Sequence, residues 1–150
     1  MVLLKIRNSK AFTLVEIMIV LAIIGILVAT SVPVILRSRM NANENVVKSN
    51  LRLIRDALES YRASQPTALT YPPDLPTLAT MTPSLLDRTL ANAVAPPGKQ
   101  GYYYVYNFQS SNQFALTATP VSSGVSGKNS YFVDESGVVR YTDASGPPVE

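Results

Sequence analysis

Hydrophobic and polar positions divide the chain into three regimes. From Ile17 to Leu36 no residue is charged, giving twenty consecutive uncharged and mostly apolar positions. At 1.5 Å rise per residue such a helix spans about 30 Å, the thickness of a bilayer's hydrocarbon core. From Asn41 to Ser64 the pattern becomes amphipathic. Val47, Leu51, Ile54, Leu58 and Tyr61 recur at spacings of four and three, one apolar stripe on a helix. Arg52, Arg55, Asp56, Glu59 and Arg62 fall mostly elsewhere. Joined to the apolar run, the helix extends from Phe12 to about Ser64, on the order of 80 Å. The stripe covers only about two heptads, so packing on a head is favoured over a coiled-coil dimer.

Past Ser64 the period changes. Residues 65–101 hold seven prolines, at positions 66, 72, 73, 76, 83, 96 and 97. Leu75, Leu78, Leu85, Leu86 and Leu90 argue that this connection packs, and Pro83 predicts the first turn of a short helix over Ser84–Ala93. The remainder reads as strand. Tyr102–Phe108 and Phe114–Thr119 flank a turn at Gln109–Gln113; Tyr131–Val133 and Val138–Tyr141 flank the turn signal Asp134-Glu-Ser-Gly137. Between them, Ser122–Asn129 reads as a flexible Gly/Ser loop. The fold class is therefore α+β, a long N-terminal helix packed on a small antiparallel sheet of three or four strands.

Composition narrows the chemistry. The net charge of +3 comes entirely from Lys5, Arg7 and Lys10, because ten basic and ten acidic residues remain from Phe12 onward. The basic balance is thus no sign of nucleic-acid binding. The aromatic run Tyr102, Tyr103, Tyr104, Tyr106 and Phe108 lacks the clustered cations of a stacking platform and reads as sheet core. There is no Cys, which excludes disulfides and thiolate metal sites, and no His, which removes the usual general base at neutral pH. No nucleophile–base pair, phosphate loop or metal cluster stands out, so the chain is not read as an enzyme. No cofactor is expected. Asp134, Glu135 and Asp143 are the calcium candidates, but their spacing matches no defined loop and favours a solvated turn.

Glu16 is the residue that hydropathy does not explain. It opens the apolar run, where a charge is costly and by default functional. Snorkelling to the interface is the plain account; a cationic partner within the apolar layer is the sharper one. A cleaved secretory signal fits poorly, since the run is long and Val28-Ala-Thr-Ser31 is a weak cleavage site. A simple single-pass anchor explains the hydropathy but neither Glu16 nor Pro33. The three basic residues ahead of the run place the leader in the cytoplasm and the head outside, against which stand Arg37 and Arg39 beyond the run.

Lys10-Ala-Phe-Thr-Leu-Val-Glu16 followed by an apolar helix resembles the type IV prepilin signature, shared by pilus pilins and type II secretion pseudopilins. The resemblance implies cleavage between Ala11 and Phe12 by a membrane prepilin peptidase and N-methylation of Phe12. It implies that Glu16 pairs with the terminal amine of a neighbouring subunit during assembly. The helix from Gly25 to Pro33 would loosen in the filament. Gly is usual before the cut, where this chain has Ala11. The implied organisation is a removed leader over 1–11, a membrane and filament-core half-helix over 12–36, an amphipathic half over 37–64 and a globular head over 65–150. The implied partners are the peptidase, identical or related pilin subunits, an inner-membrane assembly platform and membrane lipid, with no nucleic acid. The implied location is the bacterial inner membrane, single pass with the head extracytoplasmic, then a pilus or periplasmic pseudopilus. A calcium site near the C-terminus is frequent among major pseudopilins, whereas many pilus pilins carry a C-terminal disulfide that this chain lacks. The alternative outside this family is a monomeric single-pass binding protein with an extracytoplasmic head.

Overall fold

A computed structural model describes residues 12–66, 69–142 and 145–149. The chain divides into two units, Met1–Leu36 and Arg37–Glu150. Helix α1, Leu14–Ser64, contributes to both. In the first unit α1 is helical throughout, and every described side chain is exposed.

In the second unit α1 buries Val47, Asn50, Leu51, Ile54, Ala57 and Leu58. Four of these are the expected stripe, and Tyr61, the fifth, is packed at its margin. They share one core cluster with Tyr102, Tyr104, Phe114, Leu116, Ala118, Tyr131 and Val133 from the sheet. Four strands, β1 Tyr102–Ser110, β2 Gln113–Pro120, β3 Tyr131–Asp134 and β4 Arg140–Tyr141, form an antiparallel meander in sequence order. Register places Tyr104 opposite Ala118 and Leu116 opposite both Tyr106 and Val133. Alternate residues of β2 and β3 therefore reach the same face, and that face is the buried one. A register irregularity between Phe108 and Ser110 shortens the tight turn at Ser111-Asn112.

The structure corrects three sequence expectations. First, the single helix expected over Ser84–Ala93 is instead two short ones, α2 Pro76–Thr80 and α3 Arg88–Ala91. Pro76, not Pro83, occupies a first helical turn, and α3 starts only where Asp87 can cap it by accepting the Leu90 amide at 3.2 Å. Second, Val138 and Val139 lie outside β4, in the connection that follows Gly137 at φ 75°. The Val139 carbonyl instead accepts the Val149 amide at 2.8 Å, so the C-terminal segment closes this edge. Third, residues 122–129 are not a loose loop: Ser126 and Gly127 close turns onto Ser122 and Gly124.

Candidate assembly segment

Helix α1 begins one residue after Thr13. The Thr13 hydroxyl accepts the Glu16 amide at 3.2 Å, and its carbonyl accepts the Ile17 amide at 3.3 Å. Thr13-Leu-Val-Glu16 thus has the spacing of a capping box, with Thr13 at the cap and Glu16 in the third helical position. A carboxylate there also lies at the positive end of the helix dipole. This local role was readable from the Thr-x-x-Glu spacing and explains part of why Glu16 is tolerated. Among the described residues, no donor meets the Glu16 carboxylate.

Phe12, the expected new terminus, is 75% exposed. Ala11 lies outside the described residues. Beyond Glu16 the helix presents apolar side chains on all sides, from Ile17 and Met18 to Ile35 and Leu36. An apolar surface all round an exposed helix signals burial in lipid or among other helices. The helix is long and apolar enough to cross a membrane.

Gly25 and Pro33 both sit within unbroken α-helix. A Cβ at Gly25 would meet nothing, so no contact within this chain demands glycine there. Pro33 lacks the amide that would bond to the carbonyl one turn back. Just before it, the Ser31 hydroxyl donates to the Leu27 carbonyl at 2.7 Å, and Thr30 donates to the same carbonyl at 3.0 Å. Such back-bonding weakens helices, and it falls in the same stretch, residues 27–33, in which Pro33 removes a backbone hydrogen bond.

The head contains a carboxylate that sequence reasoning did not single out. Glu44 accepts the Lys128 amide at 2.8 Å, the Asn129 amide at 3.1 Å and the Tyr131 hydroxyl at 3.0 Å. The preceding residue, Asn43, donates to the Ser126 carbonyl at 2.8 Å. Asn50, polar but buried, donates to the Tyr104 hydroxyl at 2.8 Å. Burial by itself pushes the Glu44 carboxyl up, but hydrogen bonds from Lys128, Asn129 and Tyr131 outweigh it and hold the group below its usual value. Burial, reinforced by Glu44, pushes the Tyr131 hydroxyl up. Glu44 interrupts no hydrophobic period and belongs to no motif, so nothing local in the sequence marks it.

Of the three calcium candidates, Asp134 and Glu135 lie within the described residues. The Asp134 carboxylate is turned onto the amide of Ser136, 2.9 Å away, and onto its hydroxyl. Asp143 lies outside the described residues, and among those described no three acidic groups cluster.

The prokaryotic N-terminal methylation motif matches residues 6–32, which contain Ala11, Phe12, Glu16 and Gly25. Over about a third of its length the chain is similar to type IV pilins and to a type II secretion core protein. It is 51% identical over 45 residues to the type IV wide pilus major component PilA4 of Thermus thermophilus, covering 30% of this chain and 34% of that protein. It is 39% identical over 56 residues to the type II secretion system core protein G of Pseudomonas aeruginosa, covering 37% and 39%. Against the type IV major pilin protein PilA of Myxococcus xanthus, identity is 38% over 54 residues, covering 36% and 24%. The chain thus matches roughly a quarter to two-fifths of these curated relatives' length. No solved structure matches it. Pilins and pseudopilins so named are filament or secretion components, and the α+β architecture seen here, long helix then small antiparallel sheet, is pilin-like.

Proposed function

We propose that this chain is a structural subunit of a type IV filament, either a pilus or a secretion pseudopilus, and does no chemistry of its own. The observation that carries the reading is the exposed apolar helix of residues 14–36, whose carboxylate, Glu16, lies inside the methylation motif and meets no donor among the described residues. A prepilin peptidase cuts between Ala11 and Phe12, and Phe12 is N-methylated. The subunit waits in the inner membrane as a single-pass protein with its head outside, anchored over 12–36. An assembly platform then moves it into a helical array of identical or related subunits, a repeated head-to-tail contact. In that array Glu16 accepts the terminal amine of a neighbour. Opposite charges meeting in a dry bundle attract strongly, and either one left alone is costly.

Gly25 and Pro33 bound the stretch that gives way when the filament is extended. The absence of Cys, and hence of a C-terminal disulfide, favours a pseudopilin-like or minor subunit. The test is mass spectrometry of the N-terminus from native membranes. A chain beginning at methylated Phe12 is expected; an intact leader, or a cut near Ser31, refutes the reading.

A further inference from the structure

Arg37 and Arg39 have no role in the reading above. They follow directly on the last apolar residue of the span, Leu36, and both are exposed. Among the described residues neither has a hydrogen bond or an ion pair. The nearest carboxylate along the helix, Glu44, is already held by the amides of Lys128 and Asn129. Two unpaired guanidinium groups therefore stand at the end of an uncharged run whose length matches the hydrocarbon layer. Residues two apart on an α-helix point about 200° away from each other, so the two side chains leave on opposite sides.

We propose that Arg37 and Arg39 form a collar that binds phospholipid phosphates of the outer leaflet and fixes the depth of the membrane span. This rests on residues 12–36 crossing the membrane. The chemistry favours phosphate over water alone: guanidinium is weakly hydrated, planar, permanently charged, and matches phosphate oxygens two at a time. Opposed placement matters as well. A single arginine is satisfied by tilting the helix toward it, whereas two on opposite sides resist both tilt and sinking. The collar also accounts for basic residues on the side where the positive-inside tendency disfavours them. Once the leader is removed, Lys5, Arg7 and Lys10 go with it, and these arginines become the only basic side chains flanking the span. The processed subunit is then held by its outer end and is free at its inner end.

The chain has neither Trp nor Cys, so one introduced tryptophan reports depth without interference. Full-length Leu36→Trp protein is reconstituted in phosphatidylethanolamine/phosphatidylglycerol vesicles at high dilution, and its quenching is read with lipids brominated at several depths. Arg37→Gln with Arg39→Gln is expected to move the tryptophan by about 3–5 Å, half a turn to one turn of helix. Lysine at both positions should restore most of the original depth. Since both arginines are exposed and, among the described residues, make no hydrogen bond or ion pair, the circular dichroism of the head should be unchanged. An unmoved tryptophan overturns the collar while resistance to carbonate extraction leaves the span standing. A shift seen only at high protein density also overturns it, by assigning the arginines to carboxylates of neighbouring chains. Loss of carbonate resistance in the parent protein overturns collar and span together.

Discussion

Glu44 and Glu16 lie on one helix and meet opposite fates. Glu44 is surrounded by donors from residues 128–131 and is held below its usual carboxyl value, while Glu16 meets no donor among the described residues. A carboxylate that accepts several hydrogen bonds from a loop is a tether, and its loss leaves two amides and a hydroxyl without their acceptor. Glu44→Gln is expected to destabilise the head by about 1–3 kcal/mol in urea unfolding of the full chain in detergent. The pH dependence follows from the direction of the shift. A folded value below the ordinary 4.5 means that Glu44 contributes stability above pH 4.5, which is lost as pH falls through its folded value. The glutamine variant should therefore unfold more easily than the parent at neutral pH and converge on it in acid. A gap of the same size at pH 3 and pH 7 would count against the tether.

At the scale of elements, burial separates neighbouring leucines of α1. Leu51 is fully buried, whereas Leu53 is 54% exposed. Leu51→Ala should cost about 2–5 kcal/mol and Leu53→Ala should stay within about 0.5 kcal/mol. Calorimetry of the two variants side by side checks it; comparable losses would misplace the stripe. The approach to β1 turns on Gly98, at φ 64°, where a Cβ would overlap the Tyr102 carbonyl oxygen that receives the Lys99 amide. Gly98→Ala combines left-handed strain, on the order of 1–3 kcal/mol, with that clash, and should visibly lower the melting temperature. The elements that could be read in advance are those with a period. Val47, Leu51, Ile54 and Leu58 repeat as a helix does, and Tyr102 and Tyr104 alternate as a strand does. What could not be read depended on partners distant in sequence. Val138 and Val139 look like strand, yet the second of them bonds to Val149. Residues 122–129 look loose by composition, yet Asn43 and Glu44, some eighty positions earlier, and Tyr102 hold them by hydrogen bonds.

For the whole molecule, the decisive question is whether processing and assembly are separate uses of one short segment. In the proposed processing the cut follows Ala11, whereas Glu16 lies four residues beyond Phe12, and among the described residues no donor meets its carboxylate. Its backbone amide is already committed to the Thr13 cap at 3.2 Å, a bond that no side-chain substitution at position 16 removes. Glu16→Ala should therefore leave the local start of the helix, and the cut, intact. Immunoblots should show leader removal at the parental rate, with the processed subunit accumulating in the membrane and sheared filaments depleted by tenfold or more. Ala11→Gly should act on the other step alone, raising the rate of leader removal in a pulse-chase without changing how much processed subunit enters filaments. If Glu16→Ala enters filaments normally, the carboxylate serves only the helix terminus, and attraction between neighbouring chains must come from the apolar surface of residues 17–36 alone. That surface is attractive in every direction but carries no register, since an apolar helix face slides along its neighbour at little cost. One charge pair per subunit, which must be matched to avoid a bare ion in an apolar layer, is what would fix the axial step.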